Sequence, residues 1–158
     1  MKILVVNAGS SSVKFTVYEM ETETMLAKGL VERIGLRNPN MVYEHSGNGK
    51  TERTVDVANH RDALTIIYET LVDDDVGVLD SPSEIDAIGH RVVHGGERFS
   101  APVLISSEVK NAIKLYANLA PLHNPPNLIG IEACEEVFAD VPNVAVFDTA
   151  LHQTMPPE

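Results

Sequence analysis

The apolar positions along this chain change their period twice. Ile3-Leu4-Val5-Val6 is a continuous, β-branched apolar run and reads as a buried strand over 2–7. Val13, Phe15 and Val17 then alternate with Lys14, Thr16 and Tyr18, the period of a half-buried strand over 12–19. A third strand is expected over 25–33, and a further hairpin over 41–45 and 50–57 with Ser46-Gly47-Asn48-Gly49 as its turn. After that the period becomes helical. Ala63, Leu64, Ile67 and Leu71 form one stripe of a helix from His60 to Leu71, which Asp73-Asp74-Asp75 ends as a solvated loop. Val109, Ala112, Ile113 and Tyr116 form the stripe of a second helix over 106–118. Asn124 caps a third, with Pro125 suited to its first turn, running to Phe138. Strands over 85–93 and 143–147 separate these helices. Strands first, then helix–strand–helix–helix–strand, predict an α/β fold: a mixed sheet with helices packed on it.

Composition narrows the class. A chain of 158 residues can bury a sizeable core, and 44% hydrophobic with 22% charged residues is the balance of a globular protein. A net charge of −11 argues against nucleic acid or an anionic membrane surface as partner. Any anion site must therefore be local, built from a few placed donors against an unfavourable overall field. The single cysteine, Cys134, excludes an intrachain disulfide, fits a reducing compartment and sits in a helical apolar pattern as a small core residue. No signal peptide is visible and no run approaches the length of a membrane span, so a cytoplasmic location is expected.

Between the first two strands lies Asn7-Ala8-Gly9-Ser10-Ser11-Ser12-Val13-Lys14-Phe15. A glycine and three hydroxyls at a tight strand-to-strand turn can offer backbone N–H groups and side-chain donors to an anion. The strand period puts Ser12 and Lys14 on one face, opposite Val13 and Phe15, so a hydroxyl and an ammonium would project together. An ordinary hairpin whose Gly and Ser only satisfy turn geometry is the competing reading. Arg91 and Val93 are two apart on a strand and point the same way. A guanidinium grips a carboxylate with two parallel hydrogen bonds, and a valine beside it offers an apolar wall, as a short carboxylate needs. Alternatively, Arg91 is a structural arginine paired with an acid. His123 precedes a helix N-terminus, where an anion is favoured. Asp148 ends a strand at a usual catalytic position of α/β proteins, although a turn aspartate is common there too. No pair of histidines has a convincing zinc spacing, and the acidic triplet lacks metal-ligand spacing.

Four motifs in order carry a resemblance. Residues 7–15 resemble the first signature of the acetate kinase family, and Gly89-His90-Arg91-Val92-Val93-His94-Gly95-Gly96 resembles its second. Pro121-Leu122-His123-Asn124-Pro125-Pro126-Asn127 and Phe147-Asp148-Thr149-Ala150-Leu151-His152-Gln153-Thr154-Met155-Pro156 fit the same family in the same order. The resemblance implies the ASKHA superfold, a ribonuclease H-like mixed sheet with flanking helices. It also implies reversible transfer of the ATP γ-phosphoryl group to acetate, giving acetyl phosphate and ADP, with Mg2+. By resemblance Arg91, Val93 and Leu122 line the acetate site, and His123 lies close to the reacting groups. Ser10, Ser12 and Lys14 bind near the phosphates of ATP, Asn7 sits near the magnesium, and Asp148 is the acid/base candidate. Acetate is already ionised at neutral pH, so Asp148 is expected to orient it through Arg91 or magnesium and its waters rather than remove a proton. The family's proteins are more than twice this long, so residues 1–158 are expected to be an N-terminal domain without the C-terminal nucleotide-binding domain. The full-length protein is expected to be a homodimer. A propionate kinase of the same family is a close alternative, since one methylene in the pocket is worth only about 1–3 kcal/mol. A non-catalytic ASKHA module binding a phosphate or a partner is the alternative from a different class.

Overall fold

The computed structural model describes residues 1–46, 49–92, 103–115 and 124–147. Eight strands form one sheet in the order β5-β4-β3-β2-β1-β6-β8-β7. Five come first: β1 (Lys2–Ala8), β2 (Ser12–Glu19), β3 (Thr24–Glu32), β4 (Asn40–His45) and β5 (Lys50–Thr54). Helix α1 (His60–Leu71) and a 3-10 turn (Pro82–Glu84) lead to β6 (Ile85–Val92) and the short β7 (Val103–Leu104). Helices α2 (Ser107–Leu115) and α3 (Asn124–Val137) precede β8 (Asn143–Phe147). The pairs β1–β6 and β6–β8 are parallel and every other pair is antiparallel. The sheet is therefore mixed, with helices on it, as the element order requires.

The pleat sorts the sequence onto two faces. Leu4, Val6 and Ala8 of β1, Val13, Phe15 and Val17 of β2, and Ile88 and Val92 of β6 are buried on one face. Helix α1 packs on β2 and on α3, α3 lies over β1 and β6, and α2 packs on α3. The expected stripes are the ones that bury: Ala63, Leu64, Ile67 and Leu71 on α1, and Val109, Ala112 and Ile113 on α2. The rings of Phe15 and Tyr43 meet with centroids 6.3 Å apart above Gly29, which pairs with both residues. Cys134 is buried with the same core, and burial pushes its thiol pKa far up.

Local chemistry sets the helix ends. The Asn59 side chain accepts from the Asp62 N–H at 2.9 Å, and Asp62 accepts from the Ala58 N–H at 3.0 Å, a reciprocal cap at the start of α1. Asp73 accepts from the N–H groups of Asp75 and Val76 at 2.8 and 3.1 Å, and these bonds hold its carboxyl below the usual range. The acidic triplet thus folds a turn. Among the described residues no group of three or more His, Cys, Asp or Glu is placed to hold a metal ion.

Two expectations need correction, and one element was not expected. The run Ile3-Leu4-Val5-Val6 is not buried throughout: Leu4 and Val6 are buried, whereas Ile3 and Val5 are half-buried on the other face. There they line an apolar groove of about 670 Å3 with Tyr18, Ala87, Arg91 and Val144. The hairpin strand expected to reach residue 57 stops at Thr54, because the Val55 N–H leaves the ladder and donates to Pro39 O at 3.0 Å. All of β5 is exposed, and its Lys50, Glu52 and Arg53 make it a charged edge. The two-residue strand β7 has no sequence period long enough to announce it. Gly47 and Asn48 of the hairpin turn, and residues 116–118 of the second helix, lie outside the described residues.

Candidate functional site

Because β1, β6 and β8 are parallel, their carboxyl ends fall on one edge of the sheet, and β2 starts at that same edge. Asn7 pairs with Lys14 across β1 and β2. The β1–β6 ladder pairs Val6 with His90, so Asn7 and Arg91 occupy the next rung. Asn7, Ser12, Lys14 and Arg91 all belong to the face opposite α1 and α3, where Lys14 and Arg91 are exposed and Asn7 and Ser12 half-buried. Strands lie about 4.8 Å apart, so roughly 10 Å of sheet separates the backbones of Lys14 and Arg91. The fold thus gathers two cations, a hydroxyl and an amide on one row, from positions up to 84 residues apart in the case of Asn7 and Arg91 (91 − 7). The carboxyl edge of parallel strands is where α/β sheets bind ligands.

The turn between β1 and β2 is drawn tight. The Gly9 N–H donates to Ser12 O at 2.8 Å. A Cβ at Gly9 would lie 2.8 Å from Ser12 Oγ, so only glycine leaves the hydroxyl where it is. The turn is also held from outside. Asn127 of α3, buried, donates through Nδ2 to Ala8 O at 3.0 Å, and the Ile34 N–H donates to Ser11 O at 2.9 Å. His60, the first residue of α1 and also buried, places Nε2 2.7 Å from Gly9 O. Helix α3 reaches Asn127 to the turn because Gly130, one helical turn on, lets it close on β1: a Cβ there would sit 2.6 Å from the Ala8 Cβ.

A second buried polar pair ties β6 to β8. His90 Nε2 lies 2.7 Å from Asn143 Oδ1, and Asn143 Nδ2 donates to Val141 O at 3.1 Å. With its amide committed, Asn143 offers an acceptor, so His90 carries its proton on Nε2. Burial depresses the His90 pKa to about 4, against the hydrogen bond that His90 donates to Asn143, which raises it. His90 is thus a neutral strut on the helix side of the strand whose next residue is Arg91.

Of the sequence-expected residues, the structure brings Asn7, Ser10, Ser12, Lys14 and Arg91 to one edge. Val93, Leu122, His123 and Asp148 lie outside the described residues. Sequence reasoning missed the supporting set of His60, Asn127, His90 and Asn143. No local pattern announces them, since each acts on a group at least 51 residues away.

A mixed sheet with helices packed against it and a glycine–serine hairpin at the carboxyl edge of its central parallel strands defines an ASKHA-type α/β domain. Comparison with known proteins narrows this class. The acetokinase family profile matches residues 2–158, and the chain belongs to that family. It is 54% identical over 156 residues to an acetate kinase of Alkaliphilus metalliredigens and 52% identical to one of Methanosarcina acetivorans, covering 99% of this chain but 39% and 38% of those proteins. Its fold matches the crystal structure of Porphyromonas gingivalis acetate kinase with a TM-score of 0.92 at 44% identity, covering 98% of this chain and 39% of that one. It also matches a propionate kinase from Francisella tularensis with a TM-score of 0.86 at 42% identity, covering 98% and 38%. The chain therefore spans about two fifths of the length of these relatives.

Proposed function

We propose that this chain is the N-terminal domain of an acetate kinase and contributes the carboxylate clamp and part of the phosphate cradle. The carrying observation is the single row of Lys14, Asn7 and Arg91 beside Ser12 at the carboxyl edge of the parallel strands. Arg91 holds acetate by its planar fork, with Val93 and Leu122 as the apolar wall. Ser10, Ser12 and Lys14 hold the phosphates of ATP. One carboxylate oxygen of acetate attacks the γ-phosphorus, the bond from phosphorus to the β–γ bridging oxygen breaks, and acetyl phosphate and ADP result. No proton moves, because acetate is already ionised. Lys14, Arg91 and His123 offset charge on the moving phosphoryl group, and Asp148 orients the nucleophile through Arg91. Positioning and charge neutralisation suffice for such a transfer.

Magnesium fits this edge in one way. Asn7 and Ser12 offer neutral oxygens, which suit an ion that arrives on nucleotide phosphates and water rather than in a protein cage. Asn7 would hold it, and it would neutralise phosphate charge when bound. The same reading makes the whole protein a cytoplasmic homodimer with the nucleotide pocket in its C-terminal domain. No helix among the described residues is long and apolar enough to cross a membrane.

The full-length protein, given ATP, Mg2+ and acetate, is expected to form acetyl phosphate, trapped as its hydroxamate. Residues 1–158 alone are expected to show negligible turnover. Absence of acetyl phosphate from the full-length protein sinks the reading, as does turnover by the isolated chain at the roughly 1–100 per second usual for kinases. The likeness to a propionate kinase gives the second reading its support, and a higher kcat/KM for propionate than for acetate in the same assay selects it.

A further inference from the structure

We infer that His60 is a positioning residue for anion binding, acting by aiming the Ser10 N–H out of the β1–β2 turn. The inference rests on the reading of that turn as a phosphate cradle.

A peptide group is planar and trans, so its C=O and the next residue's N–H point in opposite directions. Whatever fixes Gly9 O therefore fixes the Ser10 N–H. Gly9 O is fixed by His60 Nε2 at 2.7 Å, from a ring buried between the turn and the body of the protein. A carbonyl only accepts, so Nε2 carries the hydrogen. The Ser10 N–H must then face away from His60, outward at an exposed residue, and it has no acceptor among the described residues.

The neighbouring carbonyls are drawn back in the same way. Ala8 O is held by Asn127 Nδ2, Ser11 O by the Ile34 N–H, and Ser12 O by the Gly9 N–H. The oxygens of residues 8, 9, 11 and 12 are thus all committed, two of them to buried side chains from different helices. Without those donors a carbonyl could rotate outward and present a partial negative charge to the incoming phosphate. With them the turn presents an N–H and hydroxyls. An N–H already oriented needs no ordering when the anion arrives, which is how preorganisation raises affinity. His60 and Asn127 reach the turn from 51 and 119 residues away, so no anion-binding motif in the turn itself would include them.

The test separates the two ring nitrogens. A glutamine amide nitrogen sits near the place of Nε2, and an asparagine amide nitrogen near that of Nδ1. The 158-residue chain, as wild type, His60→Gln and His60→Asn, is titrated with inorganic phosphate while the amide resonances of Ser10, Ser12 and Lys14 are followed. Saturable movement of the Ser10 amide in wild type and His60→Gln, with affinity about three- to tenfold weaker in His60→Asn, is expected for the loss of one hydrogen bond. Affinities within twofold of one another in the two variants overturn the inference and leave the phosphate cradle standing. So does movement of Ser12 and Lys14 with a silent Ser10 amide in the wild type. If no turn resonance of the wild type moves, the cradle itself fails and the inference falls with it. Loss of helical circular dichroism in both variants makes His60 a structural residue and overturns the inference as well.

Discussion

At the amino ends of β1 and β6 the charged groups are committed to one another. Lys2 Nζ bonds Glu84 Oε1 at 2.7 Å, the Lys2 N–H donates to Asp86 at 2.9 Å, and Glu84 also accepts from the N–H groups of Ser81 and Asp80. The lysine and these N–H groups hold the Glu84 carboxyl below its usual range, and Glu84 in turn raises Lys2. At the carboxyl ends of the same two strands the described contacts are of another kind. Buried side chains from two helices, His60 and Asn127, hold the backbone carbonyls from behind, and Lys14 and Arg91 stand on the exposed face. One end closes the structure with ion pairs; the other holds its turn with side-chain hydrogen bonds from two helices.

The comparison breaks most sharply at Arg91. In the full-length protein Arg91→Ala is expected to lower kcat/KM for acetate about 10²–10³-fold with little change in ATP affinity. Arg91→Lys should fail nearly as badly, since a point charge cannot replace a planar fork. Near-normal steady-state kinetics in the lysine variant would remove Arg91 from the clamp.

His90 tests the neutral strut. Its pKa is depressed to about 4 from an ordinary value near 6.5, so the unfolded chain binds the proton that the folded one refuses. Its contribution is therefore complete above about pH 6.5 and is lost as pH falls through 4, on the order of 3 kcal/mol in all. Urea unfolding between pH 7 and 4 should show this decline, and His90→Gln should flatten it. An unchanged slope in the variant would mean that other groups carry it.

Gly130→Ala should push α3 away from β1, since the new Cβ meets the Ala8 Cβ at 2.6 Å. Overpacking of this kind costs about 1–3 kcal/mol. It should also loosen Asn127 from Ala8 O and speed hydrogen exchange in the turn. Wild-type thermal stability would show that the helix accommodates the methyl group.

The smallest effect belongs to the amino end. Glu84→Gln is expected to cost about 0–1 kcal/mol at pH 7, because Lys2 and Glu84 are partly solvated. The Glu84 pKa is lowered in the folded state, so its contribution is present above the ordinary carboxyl range and lost as pH falls through the lowered value. The variant should therefore lose stability at neutral pH and converge with wild type in acid. Phosphate binding at the opposite edge should not change.

Much of this was legible in the residues. The helix at 60–71 follows from its apolar stripe and the second strand from period two, because one buried face imposes a period on the residues that cover it. The same period put Ser12 and Lys14 together on the face opposite Val13 and Phe15. The half-buried state of Ile3 and Val5 was not legible, since an apolar run reads the same whether one face or both are covered. What the sequence determined by itself was the set of elements apart from β7, the acidic charge balance and the candidate residues for binding an anion or a carboxylate. Tertiary structure alone decided that Asn7, Lys14 and Arg91 share a row, and that His60 and Asn127 hold the turn from behind. Those facts depend on parallel strand register and on close helix–sheet packing at Gly130, and both are contacts between residues far apart in the chain, which local periodicity does not encode.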